Sequence, residues 1–273
     1  MRKNVYSYSI LMSVYKNDNP VFFEESLRSI ISQTLPSNNV VIIKDGKLTK
    51  ELDDVLYKFQ KENGNISIYG YEENKGLGYA LNFGLKYCIN DIVLRMDADD
   101  ICDLRRAEIQ VPQFIRDNVD ISSTTVALFE NNVKNILGYR KLPTNEKDIL
   151  KFSKTRSPFN HPSAIFKKSS VLKAGCYKDL LYKEDYYLWI RMIQNGCKFN
   201  NVDIPLVYMR VNSDTFFRRK NKTAYKNSLF LNRYMLRTKY ISIFTYFKNA
   251  FIYFFRQHLP NTLSSKITKS LWK

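Results

Sequence analysis

The chain has 273 residues, 44% of them hydrophobic, which suits one large globular domain or a domain with an appendage. A formal charge of +17 ordinarily suggests nucleic acid as a partner, but the distribution argues against it: thirteen of the excess charges lie after Asp214, where no Asp or Glu occurs, leaving +4 for everything before. Cys88, Cys102, Cys176 and Cys197 have no Cys-x-x-Cys spacing, so neither a zinc site nor a disulfide framework is signalled.

In chain order, Tyr8–Tyr15 is apolar and β-branched, reads as a strand, and breaks at Lys16-Asn17-Asp18-Asn19-Pro20. Phe22, Phe23, Leu27, Ile30 and Ile31 then recur at helical spacing, predicting a helix from Val21 to Gln33. Val40–Ile43 is a second buried strand and ends in Lys44-Asp45-Gly46. A helix from Glu51 to Glu62 precedes a third strand, Ile66–Tyr69. The loop Asn74-Lys75-Gly76-Leu77-Gly78 opens a helix running through Leu85. Its glycines would let backbone N–H groups approach an anion, or serve only as a helix-entry turn. The fourth strand, Ile92–Met96, stops in Asp97-Ala98-Asp99-Asp100, with a helix expected from about Asp103. Alternating strands and helices predict an α/β fold: a mostly parallel sheet flanked by helices.

Three carboxylates within four positions call for a positive partner, unless they form a solvated turn capping the next helix. Ligands of open α/β sheets gather beyond the carboxyl ends of strands, and the polar residues after Val14, Ile43 and Met96 all open toward one such edge. Hard oxygen ligands suit Mg²⁺ or Mn²⁺ held jointly with substrate phosphates. Further on, Glu184-Asp185 opens a segment, Leu180–Ile193, that reads as helical; the two acids fit either dipole capping or a general base. His161 fits a structural hydrogen-bonding role or an acceptor site. Trp189, one turn beyond Asp185, fits core filling or sugar stacking.

Ser13-Val14-Tyr15, the helix Ser26-Leu27-x-Ser29-Ile30-x-x-Gln33-Thr34, Ile42-Ile43-x-Asp45-Gly46, Asn74-x-Gly76-Leu77-Gly78 and Arg95-x-Asp97-Ala98-Asp99-Asp100 together resemble family 2 glycosyltransferases of the GT-A fold. The likeness continues through His161-Pro162-Ser163 and Glu184-Asp185-Tyr186 to Pro205-Leu206-Val207-Tyr208-x-Arg210, covering about residues 7 to 212. This resemblance implies a metal-dependent, inverting enzyme of surface polysaccharide (O-antigen or capsule) assembly. It implies a UDP-sugar donor, with a lean to UDP-galactose, and an undecaprenyl-diphosphate-linked acceptor. By the same resemblance Ser13, Val14, Tyr15, Asn74, Gly76, Arg95 and Ala98 line the nucleotide-sugar site, Asp45 reads the pyrimidine edge and Asp97 lies near the ribose. Asp99 holds Mn²⁺ or Mg²⁺, and Asp185 is the base with Glu184 beside it. His161, Trp189 and Arg210 become candidates for the acceptor site. Leu104 stands where the family usually has proline, Lys44 where many relatives have another acid, and Val211-Asn212-Ser213 where a histidine often follows the arginine.

A catalytic domain over 1–213 and a basic aromatic tail over 214–273 are expected. Between Tyr240 and Phe255, polar Ser242, Thr245 and Asn249 fall at helical spacing, leaving a wide face of Ile241, Ile243, Phe244, Phe247, Phe251, Ile252 and Phe254. That face suits lying in a lipid headgroup layer, or docking on the catalytic domain with the same aromatics buried. No signal peptide opens the chain and no run of about 20 apolar residues is free of charge, so the expected place is the cytoplasmic face of the inner membrane, peripherally bound to its lipids. A catalytically silent glycan-binding module and a tail that binds nucleic acid are the competing readings.

Overall fold

A computed structural model of the chain describes residues 6–211 and 221–259. Nine strands form one sheet: β1 (Ser9–Val14), β2 (Asn39–Asp45), β3 (Ile66–Tyr71), β4 (Ile92–Met96), β5 (Ile101–Cys102), β6 (Ile121–Phe129), β7 (Ile136–Arg140), β8 (Ile165–Lys167) and β9 (Phe199–Arg210). Their order is β3-β2-β1-β4-β8-β6-β9-β5, with β7 paired to β6. The first four strands are all parallel, as expected. Beyond β4 the sheet becomes mixed. There β8 enters antiparallel to both β4 and β6, β7 returns from β6 as a hairpin, and among these later strands only β6 and β9 pair in parallel.

Alternation along the parallel strands places the core. Ile10, Met12 and Val14 of β1 and Val40 and Ile42 of β2 face one side, where α1 (Pro20–Ile31) and α2 (Lys50–Glu62) add Phe23, Leu27, Leu52 and Phe59. Leu11, Val41 and Ile43 face the other, where α3 (Leu77–Leu85) adds Ala80, Leu81 and Leu85. With both faces covered the middles of these strands, Ile10–Met12 and Val40–Ile43, are apolar at consecutive positions, hence their legibility as runs. Helix α1 starts one residue before the expected span because Asn19 caps it, its side chain accepting from the amides of Val21 and Phe22. Packing of α3 is close enough that a Cβ on Gly84 would press into Leu11 and come within 2.8 Å of Ile43.

After the metal motif come α4 (Arg106–Arg116), α5 (Glu146–Ser153), α6 (Lys168–Lys173) and α7 (Glu184–Gln194). The helix expected from about Asp103 begins at Arg106, with the Asp103 carboxylate accepting from the Arg105 amide at 2.9 Å. The tail contributes α8 (Lys222–Arg237) and α9 (Ile243–His258). Leu231 and Met235 of α8, with Ile241, pack on Leu180, Tyr186 and Ile190, so these helices share a core with α7. The expected boundary at 213/214, Asn212-Ser213 and the basic residues Arg218, Arg219, Lys220, Lys266, Lys269 and Lys273 lie outside the described residues.

The orientation of α9 gives its two sides different surroundings. Asn249 is buried, donating from Nδ2 to the Lys154 carbonyl at 2.9 Å and to Asn232 Oδ1 at 3.1 Å, while Asn232 Nδ2 donates to the Tyr246 carbonyl at 2.9 Å. Of the polar positions, Asn249 faces the protein, Thr245 is half-buried and Ser242 exposed. Phe244, Phe247, Phe251, Phe254 and Phe255 all remain exposed.

Candidate active site

Strand register brings the predicted donor-site residues to one edge. Ser13 pairs with Ile43, Val14 with Lys44, Asp45 with Tyr71 and Met12 with Met96. Asp97 and Ala98, following Met96, thus emerge beside Ser13 and Val14, and the Asn74–Gly76 loop folds over the end of β2. Val14 is buried there, and Ser13 and Tyr15 are half-buried. Asp45 organises that loop. Its Oδ1 accepts from the Lys75 amide at 2.7 Å and the Tyr71 hydroxyl at 2.8 Å, and its Oδ2 from Asn74 Nδ2 at 2.9 Å and the Gly76 amide at 3.0 Å. Those four bonds use the roughly four acceptor positions of a carboxylate, so a contact from Asp45 to a pyrimidine N3–H would have to displace one of them. Gly46 beneath the loop has φ +86°, and a Cβ there would lie 2.6 Å from the Asn74 nitrogen. Only glycine fits.

The acidic turn is held from behind at its backbone. Ser26 donates to the Asp97 carbonyl at 2.9 Å, Ser29 accepts from the Cys102 amide at 3.0 Å, and Gln33 donates to the Asp103 carbonyl at 2.8 Å. These polar positions of α1 recur once per turn on the side facing residues 97–107. The Asp97 side chain is bound by both terminal nitrogens of Arg95, which is almost fully buried. Arg210 had been an acceptor-site candidate, but it braces the metal motif instead. Its amide donates to Asp100 Oδ1 at 2.9 Å, its Nε to the Asp99 carbonyl at 3.1 Å and its Nη2 to Glu25 at 2.5 Å, and its guanidinium lies 3.8 Å from the Phe22 ring centroid. Asp100 is wholly buried, and its Oδ2 lacks a partner. Burial first, and then the neighbouring Asp99 and Asp97, push its carboxyl well above the usual range.

The opposite wall comes from α7 and the segment before it. A Cβ placed on Gly78 would lie 3.4 Å from Tyr177 Cβ and 3.7 Å from Glu184 Cβ, so the donor loop abuts the predicted base pair. Glu184 is half-buried, with one carboxylate oxygen enclosed and unpartnered. Burial first, and then the charge of Asp185, raise its pKa to about 7, while Arg95 opposes the shift. Arg95 thus lies near enough to both Glu184 and Tyr177 for its charge to be felt at each, as that of Asp97 is at Tyr177.

Tyr177 and Asn82 are absent from the sequence-based candidates. Asn82 clasps the Tyr177 backbone, donating to its carbonyl and accepting from its amide, both at 2.9 Å. The Tyr177 hydroxyl meets His161 Nε2 at 3.0 Å. His161 is buried, and burial and the Arg95 charge lower its pKa well below the ordinary value, keeping the ring neutral. Its ring nitrogen is thus engaged within the wall. Trp189 is wholly enclosed among Phe159, Phe166, Tyr177 and His161, so it belongs to the core and offers no face to a sugar. Nothing in the spelling of Tyr177 marks it; the partner Asn82 lies 95 residues away.

Among the described residues no three His, Cys, Asp or Glu side chains form a metal cage. Asp99, just beyond a strand end, instead fits a Mg²⁺- or Mn²⁺-type ion that takes its remaining ligands from a diphosphate and water, with Asp97 beside it in its ion pair with Arg95. The arrangement is that of the GT-A fold: a parallel βα half, an acidic turn beyond its fourth strand, and a second pair of acids at the start of α7. Comparison with known proteins agrees. The chain belongs to glycosyl transferase family 2, whose profile matches residues 9–175. It is 37% identical over 97% of its length to the Escherichia coli UDP-Gal:alpha-D-GlcNAc-diphosphoundecaprenol beta-1,3-galactosyltransferase, covering 96% of that protein. It is 32% identical to the amylovoran biosynthesis glycosyltransferase AmsE of Erwinia amylovora, covering 97% of this chain and 98% of that one. The crystal structure of S. aureus TarS 1-349 in complex with UDP-GlcNAc superposes with a TM-score of 0.66 at 15% identity, over 96% of this chain and 70% of that one.

Proposed function

We propose that this glycosyltransferase moves galactose from UDP-galactose to the sugar of an undecaprenyl-diphosphate-linked glycan, at the cytoplasmic face of the inner membrane, in assembly of an O-antigen or capsule repeat. What supports the reading is the closeness of Gly78 to Tyr177 and Glu184, together with the Asp97 charge felt at Tyr177 and the Arg95 charge felt at Glu184. Donor and acceptor are those named for the Escherichia coli relative, aligned over nearly the whole chain.

In this reading the acceptor hydroxyl oxygen forms a bond to the anomeric carbon as the bond from that carbon to the diphosphate oxygen breaks. The electron pair leaves on UDP and the hydroxyl proton passes to Asp185, with Glu184 beside it. Attack opposite the leaving group, with no sugar–enzyme intermediate, inverts the α-linked donor to a β-linked product. Asp99, with Asp97 steadied by Arg95, would hold Mn²⁺ or Mg²⁺, which supplies Lewis-acid stabilisation of the developing diphosphate charge. Asn74, Gly76 and the strand ends at Ser13–Tyr15 cradle the nucleotide.

The test is incubation with Mn²⁺, a synthetic lipid-diphosphate N-acetylglucosamine acceptor and a panel of sugar nucleotides, followed by mass and linkage analysis. A β-linked hexose added from UDP-galactose, and lost with EDTA, is the expected product. Transfer from another donor alone would overturn the choice of sugar, and no transfer from any donor the whole assignment.

A further inference from the structure

We propose that the outward face of α9 is a docking surface for a bilayer carrying anionic lipid, a proposal that deepens the lipid-linked acceptor reading and rests on it. An amphipathic helix docked on a globular domain ordinarily turns its apolar side inward. Here the inward side carries Asn249 and the partly buried Tyr246, and a second, larger apolar side is left outside. Asn249 is 1% exposed and locked to Asn232 and the Lys154 carbonyl, whereas Phe244 is 84%, Phe247 64%, Phe251 63% and Phe254 50% exposed. At 100° per residue those phenylalanines form one continuous stripe opposite Asn249. A contiguous apolar stripe of this kind on a protein surface marks an interaction site.

Charge selects the occupant. Lys248 lies beside the stripe on α9, and Arg233, Arg237 and Lys239 lie exposed on α8 and the turn after it. Neither helix carries an acid. A second copy docking through the same patch across a two-fold axis would set cation against cation. Phosphodiester headgroups would meet these cations while acyl chains receive the rings. Length fixes the mode of contact: 16 residues make a helix of about 24 Å, and no helix among the described residues is long and apolar enough to cross a membrane. The helix therefore lies in the plane of the headgroups.

The experiment is flotation of the full chain with vesicles of phosphatidylcholine alone or of phosphatidylcholine with phosphatidylglycerol, beside sedimentation velocity without lipid. The wild type should partition to the phosphatidylglycerol vesicles. The triple variant F247S/F251S/F254S should lose at least about tenfold in partition. K248E/R237E should lose the salt-sensitive part, and turnover of a short-chain, water-soluble acceptor should be the same in all three proteins. Failure of the wild type to float, equal flotation of wild type and triple variant, or self-association through the stripe without vesicle binding would each overturn the proposal. The soluble acceptor separates the two questions: absence of turnover there counts against the transferase reading, while flotation answers for the surface.

Discussion

Glu184 and Asp185 occupy successive positions at the start of α7, but only Glu184 has a carboxylate oxygen sealed from water without a partner. With its pKa raised to about 7, the pair gains its second negative charge as pH rises through neutrality. Transfer should rise along that limb, and E184Q should remove the limb from the pH profile of kcat/KM. D185N should reduce kcat by a hundredfold or more, on the order expected for loss of a general base, with UDP affinity held within about threefold; unchanged turnover would exclude Asp185 as the base. The sign for stability follows from linkage. A carboxyl with a raised folded-state pKa contributes stability below its ordinary pKa and loses it as pH climbs through about 7, so E184Q should flatten the fall in melting temperature over that range. Arg210 offers a different test, because one guanidinium engages the Asp99 carbonyl, Glu25 and the Phe22 ring together. Lysine has neither the fork nor the plane, so R210K should weaken Mn²⁺ activation on the order of tenfold, read from the metal dependence of initial rates.

At the level of elements, legibility followed how each one is buried. β1, β2 and β4 are sealed on both faces, so their apolar runs announced them almost to the residue. The nine-residue β6 is just as buried, but its centre is Ser122-Ser123-Thr124-Thr125, and the hydroxyls of the last three bond to Asn201, the Thr125 carbonyl and Asp203. Hydroxyl side chains satisfied by distant residues carry no hydrophobic signature, and this strand escaped the sequence-based reading. In α9 the periodicity was plain but its direction was not, since only the amides of Asn232 and Asn249 reveal which side is inward. Tight packing between elements gives a further expectation. G84A would thrust a methyl between Leu11 and Ile43, and chemical denaturation should show a loss of about 1–3 kcal/mol.

Across the whole molecule, the site existed in the sequence only as separated acids, and the topology brought them together. The order β2-β1-β4 sets the ends of three strands side by side, and the chain then travels through β6 and β8 before α7 returns to face them. Sequence spacing alone could not show that Arg210 lies behind the acidic turn or that Trp189 is interior. The tail is part of this body, because Leu231, Met235 and Ile241 cover Leu180, Tyr186 and Ile190. Ending the chain at residue 211 should strip that cover from α7 and lower the melting temperature, and so would not isolate the contribution of the aromatic face. The amide clasp between Asn249 and Asn232 is formed within the protein itself. An anchor already wound and aimed in water has no coil-to-helix transition left to make when it meets a vesicle, so circular dichroism should stay constant through a lipid titration while tryptophan-free surface probes at position 251 report the transfer.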